Sequence, residues 1–90
     1  MTYDNDDILY LVRKRVSNAL NVDDSVDINK SFGALGGTSI QAAIVLARLW
    51  HDLDLPLSLT DLTPDTKVID LAKEIHRRQI TGAHEGSSGT

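Results

Sequence analysis

Between Ser39 and His51 the chain carries a single formal charge, Arg48, and this nearly neutral run starts directly after Leu35-Gly36-Gly37-Thr38. A stretch so poor in charge folds stably only by burying much of its surface. Two adjacent glycines just ahead of it mark a turn. The pattern predicts a helix over 39–53 with Ser39 as its N-cap. On a wheel at about 100° per residue, Ala42, Leu46, Leu49, Trp50 and Leu53 gather on a core face. Gln41, Arg48 and Asp52 gather opposite, and Ile40, Ile44 and Ala47 border the polar face near the serine. These bordering residues are either the edge of a broad buried stripe or a small exposed apolar patch where a partner docks.

The remaining segments fit the same scheme. Residues 4–20 read as an amphipathic helix, with Ile8, Val12, Val16, Ala19 and Leu20 at helical spacing and Leu9 widening the stripe. Asp4, Asn5, Asp6 and Asp7 supply a cap and first-turn negative charge. Residues 21–38 form a long connection, with Val22, Val26, Ile28, Phe32 and Leu35 as apolar anchors. A loop of that length in a small domain is pinned or functional, and this one delivers the Gly-Gly-Thr-Ser segment. Residues 58–62 suit one short helical turn between Pro56 and Pro64. A last helix is predicted over 67–79, capped by Asp65 or Thr66, with Val68, Leu71, Ala72 and Ile75 on its buried face. Residues 81–90, which include Gly82, Gly86 and Gly89, read as a flexible tail or linker. Ninety residues with four aromatics and no cysteine therefore predict one all-α bundle of three main helices plus a short turn, with an aliphatic core. The domain is expected to span 1–80.

Composition excludes several functions. With no cysteine there is no disulfide and no thiolate metal site, which suits a reducing, cytoplasmic compartment. His51, His76 and His84 lack metal-ligand spacing and read as solvated side chains, so no metal is expected. The net charge of −4 argues against nucleic acid. The short basic clusters at Arg13-Lys14-Arg15 and Arg77-Arg78 suit solvated helix faces or ion pairs. No apolar run reaches membrane-spanning length. An enzyme also fits poorly. Gly37-Thr38-Ser39-Ile40-Gln41 lacks the final glycine of a nucleophile elbow, no P-loop lysine follows the glycines, and His51 lies about three turns from Ser39. A glycine turn feeding a helix that opens on a hydroxyl is instead a good place to hold a phosphate, because unsatisfied backbone amides and the positive helix end meet there. The glycines are expected to keep the approach from outside open. Ser39 is read as an attachment point and not as a catalyst.

Leu35-Gly36-Gly37-Thr38-Ser39-Ile40 resembles the signature of carrier domains that bear a 4′-phosphopantetheine arm, above all the peptidyl carrier (thiolation) domains of nonribosomal peptide synthetases, of the acyl carrier protein-like superfamily. The likeness covers residues 5–80 and includes Phe32, three residues ahead of Leu35, and Val68-Ile69-Asp70-Leu71-Ala72. It implies an acyl-carrier-like helical bundle. It also implies that a phosphopantetheinyl transferase esterifies Ser39 with phosphopantetheine from coenzyme A, with Gly36, Gly37 and Thr38 framing the site. The arm then holds aminoacyl or peptidyl groups as thioesters. Adenylation and condensation domains, and in some assemblies a thioesterase or reductase domain, are the implied partners of a non-catalytic unit, monomeric when isolated and excised from a larger synthetase. Two residues depart from the family pattern. Thr38 stands where His or Asp is common, and Gly33 stands where a second aromatic is common. Fatty-acid-type carriers commonly have an acidic second helix, and this one has no acid before Asp52.

Ile40, Ala43, Ile44 and Ala47, within about two turns of the serine, are the candidate docking residues, in contrast to Leu46, Leu49 and Trp50 in the expected core. Two alternatives stand beside this reading: a polyketide-synthase acyl carrier domain, and an unmodified helical interaction module in which Ser39 is only a cap.

Overall fold

A computed structural model describes residues 4–23 and 26–87. Three helices, α1 (Asn5–Leu20), α2 (Ser39–Leu53) and α3 (Val68–Ser87), and a 3-10 turn at Leu59–Asp61 make up its regular structure, the expected all-α bundle with a long first loop. Both α2 and α3 pack against α1, and α2 also meets the 3-10 turn. The Asp4 side chain caps α1 by accepting from the Asp7 amide at 2.8 Å. Asn21 ends α1 in the left-handed conformation, φ 57°, which asparagine tolerates better than most residues.

The core is aliphatic with one ring in it. Ile8, Val12 and Val16 of α1 meet Ala42, Val45, Leu46, Leu49 and Leu53 of α2, Val68, Leu71, Ala72 and Ile75 of α3, and Phe32, Leu57 and Leu62 from the connections. A Leu→Ala truncation among these costs about 2–5 kcal/mol. Trp50 is not part of this core. It is 47% exposed, whereas Val45, absent from the expected face, is fully buried. On α2 the buried stripe follows Ala42, Val45, Leu46, Leu49 and Leu53, an i, i+3, i+4, i+7, i+11 set that leaves Trp50 at its margin.

The long loop is held by backbone, as an irregular segment against a core must be. Ser31 and Lys67 form an antiparallel bridge, Phe32 N–H donates to Thr66 C=O and Gly33 N–H to Pro64 C=O, both at 2.8 Å. The first amides of α3 find their acceptors here too. Val68 N–H donates to Lys30 C=O at 3.3 Å and Ile69 N–H to Ile28 C=O at 2.9 Å. Thr66, one of the two expected caps of α3, has its hydroxyl engaged elsewhere, accepting from Thr63 N–H at 3.0 Å. The loop's carbonyls do the capping. Among the five expected loop anchors Phe32 is buried, and Val26, Ile28 and Leu35 are half-buried. Val22 is 50% exposed, because it directly follows the left-handed residue that ends α1. The backbone of α3 runs on to Ser87, past the expected end at Gln79 and into the segment expected to be a flexible tail. A glycine such as Gly82 costs a helix only about 1 kcal/mol and does not by itself stop one.

Two charge clusters clamp the elements. The Arg15 guanidinium grips Asp52 in a two-pronged contact of 2.6 and 2.9 Å, joining α1 to α2. Arg78 bonds both Asp61 of the 3-10 turn and Glu74 of its own helix, so the basic clusters do supply ion-pair partners. The hydrogen bond from Arg15 holds the Asp52 carboxyl below its ordinary range. Burial pushes Asp61 upward, but bonds from Arg78 and Ser58 outweigh it and the net shift is downward. Hydrogen bonds from Arg77 and then Arg78 draw Glu74 from 4.5 to about 2.

A carboxyl whose folded pKa is depressed contributes fully above its unfolded pKa and loses that contribution as pH falls through the folded one. The stabilisation from Glu74 is therefore complete above 4.5 and lost as pH falls towards about 2. Urea midpoints measured across this window are expected to fall with acid, and Glu74→Gln is expected to make the fall shallower while Asp52 and Asp61 keep part of it.

Candidate functional site

Thr38, not Ser39, is the N-cap of α2. Its hydroxyl accepts from Gln41 N–H at 3.2 Å, and the Gln41 side-chain oxygen accepts from Thr38 N–H at 2.9 Å. This reciprocal pair is a capping box. It moves the serine from the expected capping position to the first residue of the helix. The Ser39 hydroxyl is thereby released from cap duty and stands exposed beside the positive end of α2.

The two glycines have separate physical reasons, and neither is clearance on the outside. Gly36 has φ +90°, a conformation costly for residues with a side chain. Gly37 lies against the Phe32 ring, and a Cβ placed there would come within 2.2–2.6 Å of three ring carbons. The contact that requires this glycine comes from the core side. The Gly37 amide also donates to Phe32 C=O at 2.9 Å. One buried ring therefore sets the height of the turn from which the serine projects.

A small cleft of about 120 Å³ opens beside the hydroxyl, lined by Phe32, Gly37, Ser39, Ala42, Leu59 and Pro64 among others. Leu59 comes from the 3-10 turn and is 56% exposed. Sequence reasoning missed it, because no local signal separates exposed Leu59 from buried Leu57. On the other side of the serine, Ile40 is 76% and Ile44 44% exposed, and Ala43 and Ala47 are exposed with them. The structure thus brings the four candidate docking residues together with Ser39 on one accessible face of α2. Arg48 is exposed further along the same helix. Gln41, expected among the polar residues of α2, is half-buried and reaches across to α1. The spacing Thr38-x-x-Gln41 is the sequence signal that would have found the cap.

This geometry fits a phosphate ester. The first turn of α2 contains no acid, the helix ladder leaves the Ser39 and Ile40 amides without a partner, and both favour negative charge at this point. The chemistry nearby is sparse otherwise. Among the described residues no group of three His, Cys, Asp or Glu is placed to hold a metal ion, and no helix is long and apolar enough to cross a membrane.

Residues 11–75 match the phosphopantetheine attachment site family. The matched span holds the cap, the serine and every element that lines the cleft, and the chain belongs to this family. It is also 33% identical over 88 residues, 98% of its length, to a protein named PF 1022-synthetase from Rosellinia sp.. The chain spans 3% of that relative's length, so the likeness covers one small unit of a very large protein. No solved structure matches.

The contact between Gly37 and the Phe32 ring yields a prediction. Gly37→Ala is expected to destabilise the domain by roughly 1–3 kcal/mol, the usual cost of forcing extra volume into a packed contact. Denaturant unfolding of the purified variant measures it.

Proposed function

We propose that this domain is a peptidyl carrier unit of the kind found in nonribosomal peptide synthetases, with Ser39 as the residue that a phosphopantetheinyl transferase esterifies from coenzyme A. The observation that supports this reading best is the serine itself: an exposed hydroxyl at the first position of an acid-free helix end, relieved of capping by Thr38, within a chain of the phosphopantetheine attachment family. When bound, the group supplies a flexible thiol-ended arm that carries an acyl chain as a thioester between active sites on other domains.

The chain's own residues have simpler work. Thr38 and Gln41 hold the turn, Gly36 and Gly37 let it sit on Phe32, and the α2 amides stabilise the phosphodiester charge. In this reading the domain is a non-catalytic carrier, and its reactions are performed by adenylation, condensation, thioesterase or reductase partners. In this reading residues 1–80 are the carrier unit and residues 81–90 a linker. The PF 1022-synthetase likeness supports a synthetase setting over an isolated interaction module, and a second helix with no acid before Asp52 favours a peptide-synthetase carrier over a fatty-acid-type one.

Intact mass spectrometry after incubation with coenzyme A, Mg²⁺ and a promiscuous transferase is expected to show a single added phosphopantetheine that is absent from Ser39→Ala. No gain on the folded wild type, or a gain that persists in Ser39→Ala, would defeat the reading.

Ile40, Ala43, Ile44 and Ala47 are the proposed docking residues. Ile44 is 44% exposed and belongs to the accessible face, not to the core cluster. Ile44→Asp is expected to lower transfer from a cognate adenylation domain by about tenfold or more, in the range of a truncated interface anchor, with an unchanged circular dichroism melt. A variant that unfolds instead would assign Ile44 to the core and end the docking proposal.

A further inference from the structure

We propose that Gln41 is the positioning residue of the attachment site, and that its side-chain amide fixes the Ser39 turn by tying it to the end of α1. The inference rests on Ser39 being the modified residue. It concerns how that residue is held and not which one it is.

A helix leaves its last four carbonyls without intrahelical donors. In α1 these belong to Ser17, Asn18, Ala19 and Leu20. The left-handed cap covers two of them, since Asn21 N–H reaches the Asn18 and Ser17 carbonyls and Val22 N–H donates to Ser17 C=O at 3.0 Å. The Ala19 carbonyl is taken by Gln41, whose Nε2 donates to it at 3.1 Å across 22 residues of sequence. The same side chain accepts from Thr38 N–H at 2.9 Å through Oε1. One planar amide therefore satisfies an orphan carbonyl at the end of one helix and an orphan amide at the start of another. Ser39 lies between the two residues of the cap, Thr38 and Gln41.

The residue type carries the argument further. A capping box accepts Glu as readily as Gln at this position, and Glu suits the positive end of a helix better. Glutamate, however, has no proton to offer the Ala19 carbonyl when ionised. The local cap needs only an acceptor, whereas the contact with α1 needs a donor, and Gln supplies both. Among the described residues, Arg15 with Asp52 also ties α1 to α2, near the far end of α2. Gln41 is thus a polar tie at the serine end.

The measurement is steady-state pantetheinylation by a transferase with coenzyme A, comparing wild type, Gln41→Glu, Gln41→Ala and Arg15→Gln. Gln41→Glu keeps the acceptor and loses the donor, Gln41→Ala loses both, and Arg15→Gln loosens the same helix pair away from the serine. Expected for both Gln41 variants is a fall in kcat of about tenfold, the scale of a slightly misplaced nucleophile, with KM for the domain within about twofold of wild type and helical content retained. Arg15→Gln is expected to lower the melting temperature and leave kcat unchanged. Wild-type kcat in Gln41→Glu, or a loss in Arg15→Gln equal to that in Gln41→Glu, overturns the proposal by showing that general stability alone is at stake. A second readout does not depend on modification. In NMR spectra of the unmodified domain, the Gln41 side-chain amide protons are expected to show cross-peaks to Ala19, and their absence also overturns the proposal. A wild type that takes up no phosphopantetheine while those cross-peaks are present refutes the carrier reading and leaves the tie itself demonstrated.

Discussion

The placement of the Phe32 ring is the constraint on which the rest of the site depends. The ring is buried to 1% exposure, with the chain on either side of it fastened to the segment ahead of α3. Its outer edge meets Gly37, where only a hydrogen fits. The turn therefore cannot sink, rise or slide without disturbing either the core or the backbone bridge between Ser31 and Lys67. The proposed role of Ser39 would gain from such a base, because a reacting group misplaced by about 1 Å can lose two orders of magnitude in rate.

The loop that carries Phe32 also completes a helix. Carbonyls of Ile28 and Lys30 accept the first amides of α3, a task that a side chain usually performs. Loop and helix thus depend on each other, and the polar backbone of an otherwise costly long connection is absorbed without a sheet. The ion pairs work differently. Arg15 with Asp52 joins α1 to α2, and Arg78 with Asp61 joins the 3-10 turn to α3. These contacts lie at the margins of the core and orient elements that apolar packing alone would leave free to slide, since hydrophobic burial is non-directional.

Function follows from this division between a rigid base and an open face. The hydroxyl, the apolar residues beside it on α2, and Leu59 across the cleft are all accessible, while the neighbours that hold them are buried or hydrogen-bonded. In the proposed reading, partners approach the serine from this open side while the contacts beneath it hold the turn. Membership of the phosphopantetheine attachment family agrees with such a surface.

Much of this was legible in the order of residues. Helical periodicity marked α1 and α2 because an apolar stripe every three to four residues reports burial directly, and Leu35-Gly36-Gly37-Thr38-Ser39-Ile40 marked the site because a turn, a cap and a hydroxyl are local features. What lay beyond the sequence was whatever depended on distant partners. Trp50 and Val45 exchanged their expected places because wheel position alone does not say where the core's edge falls. The first amides of α3 are met by carbonyls of the loop, which no local capping pattern foretells. Gly37 proved necessary because of a ring five residues earlier that packs beneath it. Gln41, polar on any wheel, became a bridge only once α1 was laid beside it. Local spacing determined the elements and picked out Ser39 as the candidate attachment residue, and tertiary packing decided which side chains surround that residue, because those contacts join residues that no short-range pattern brings together.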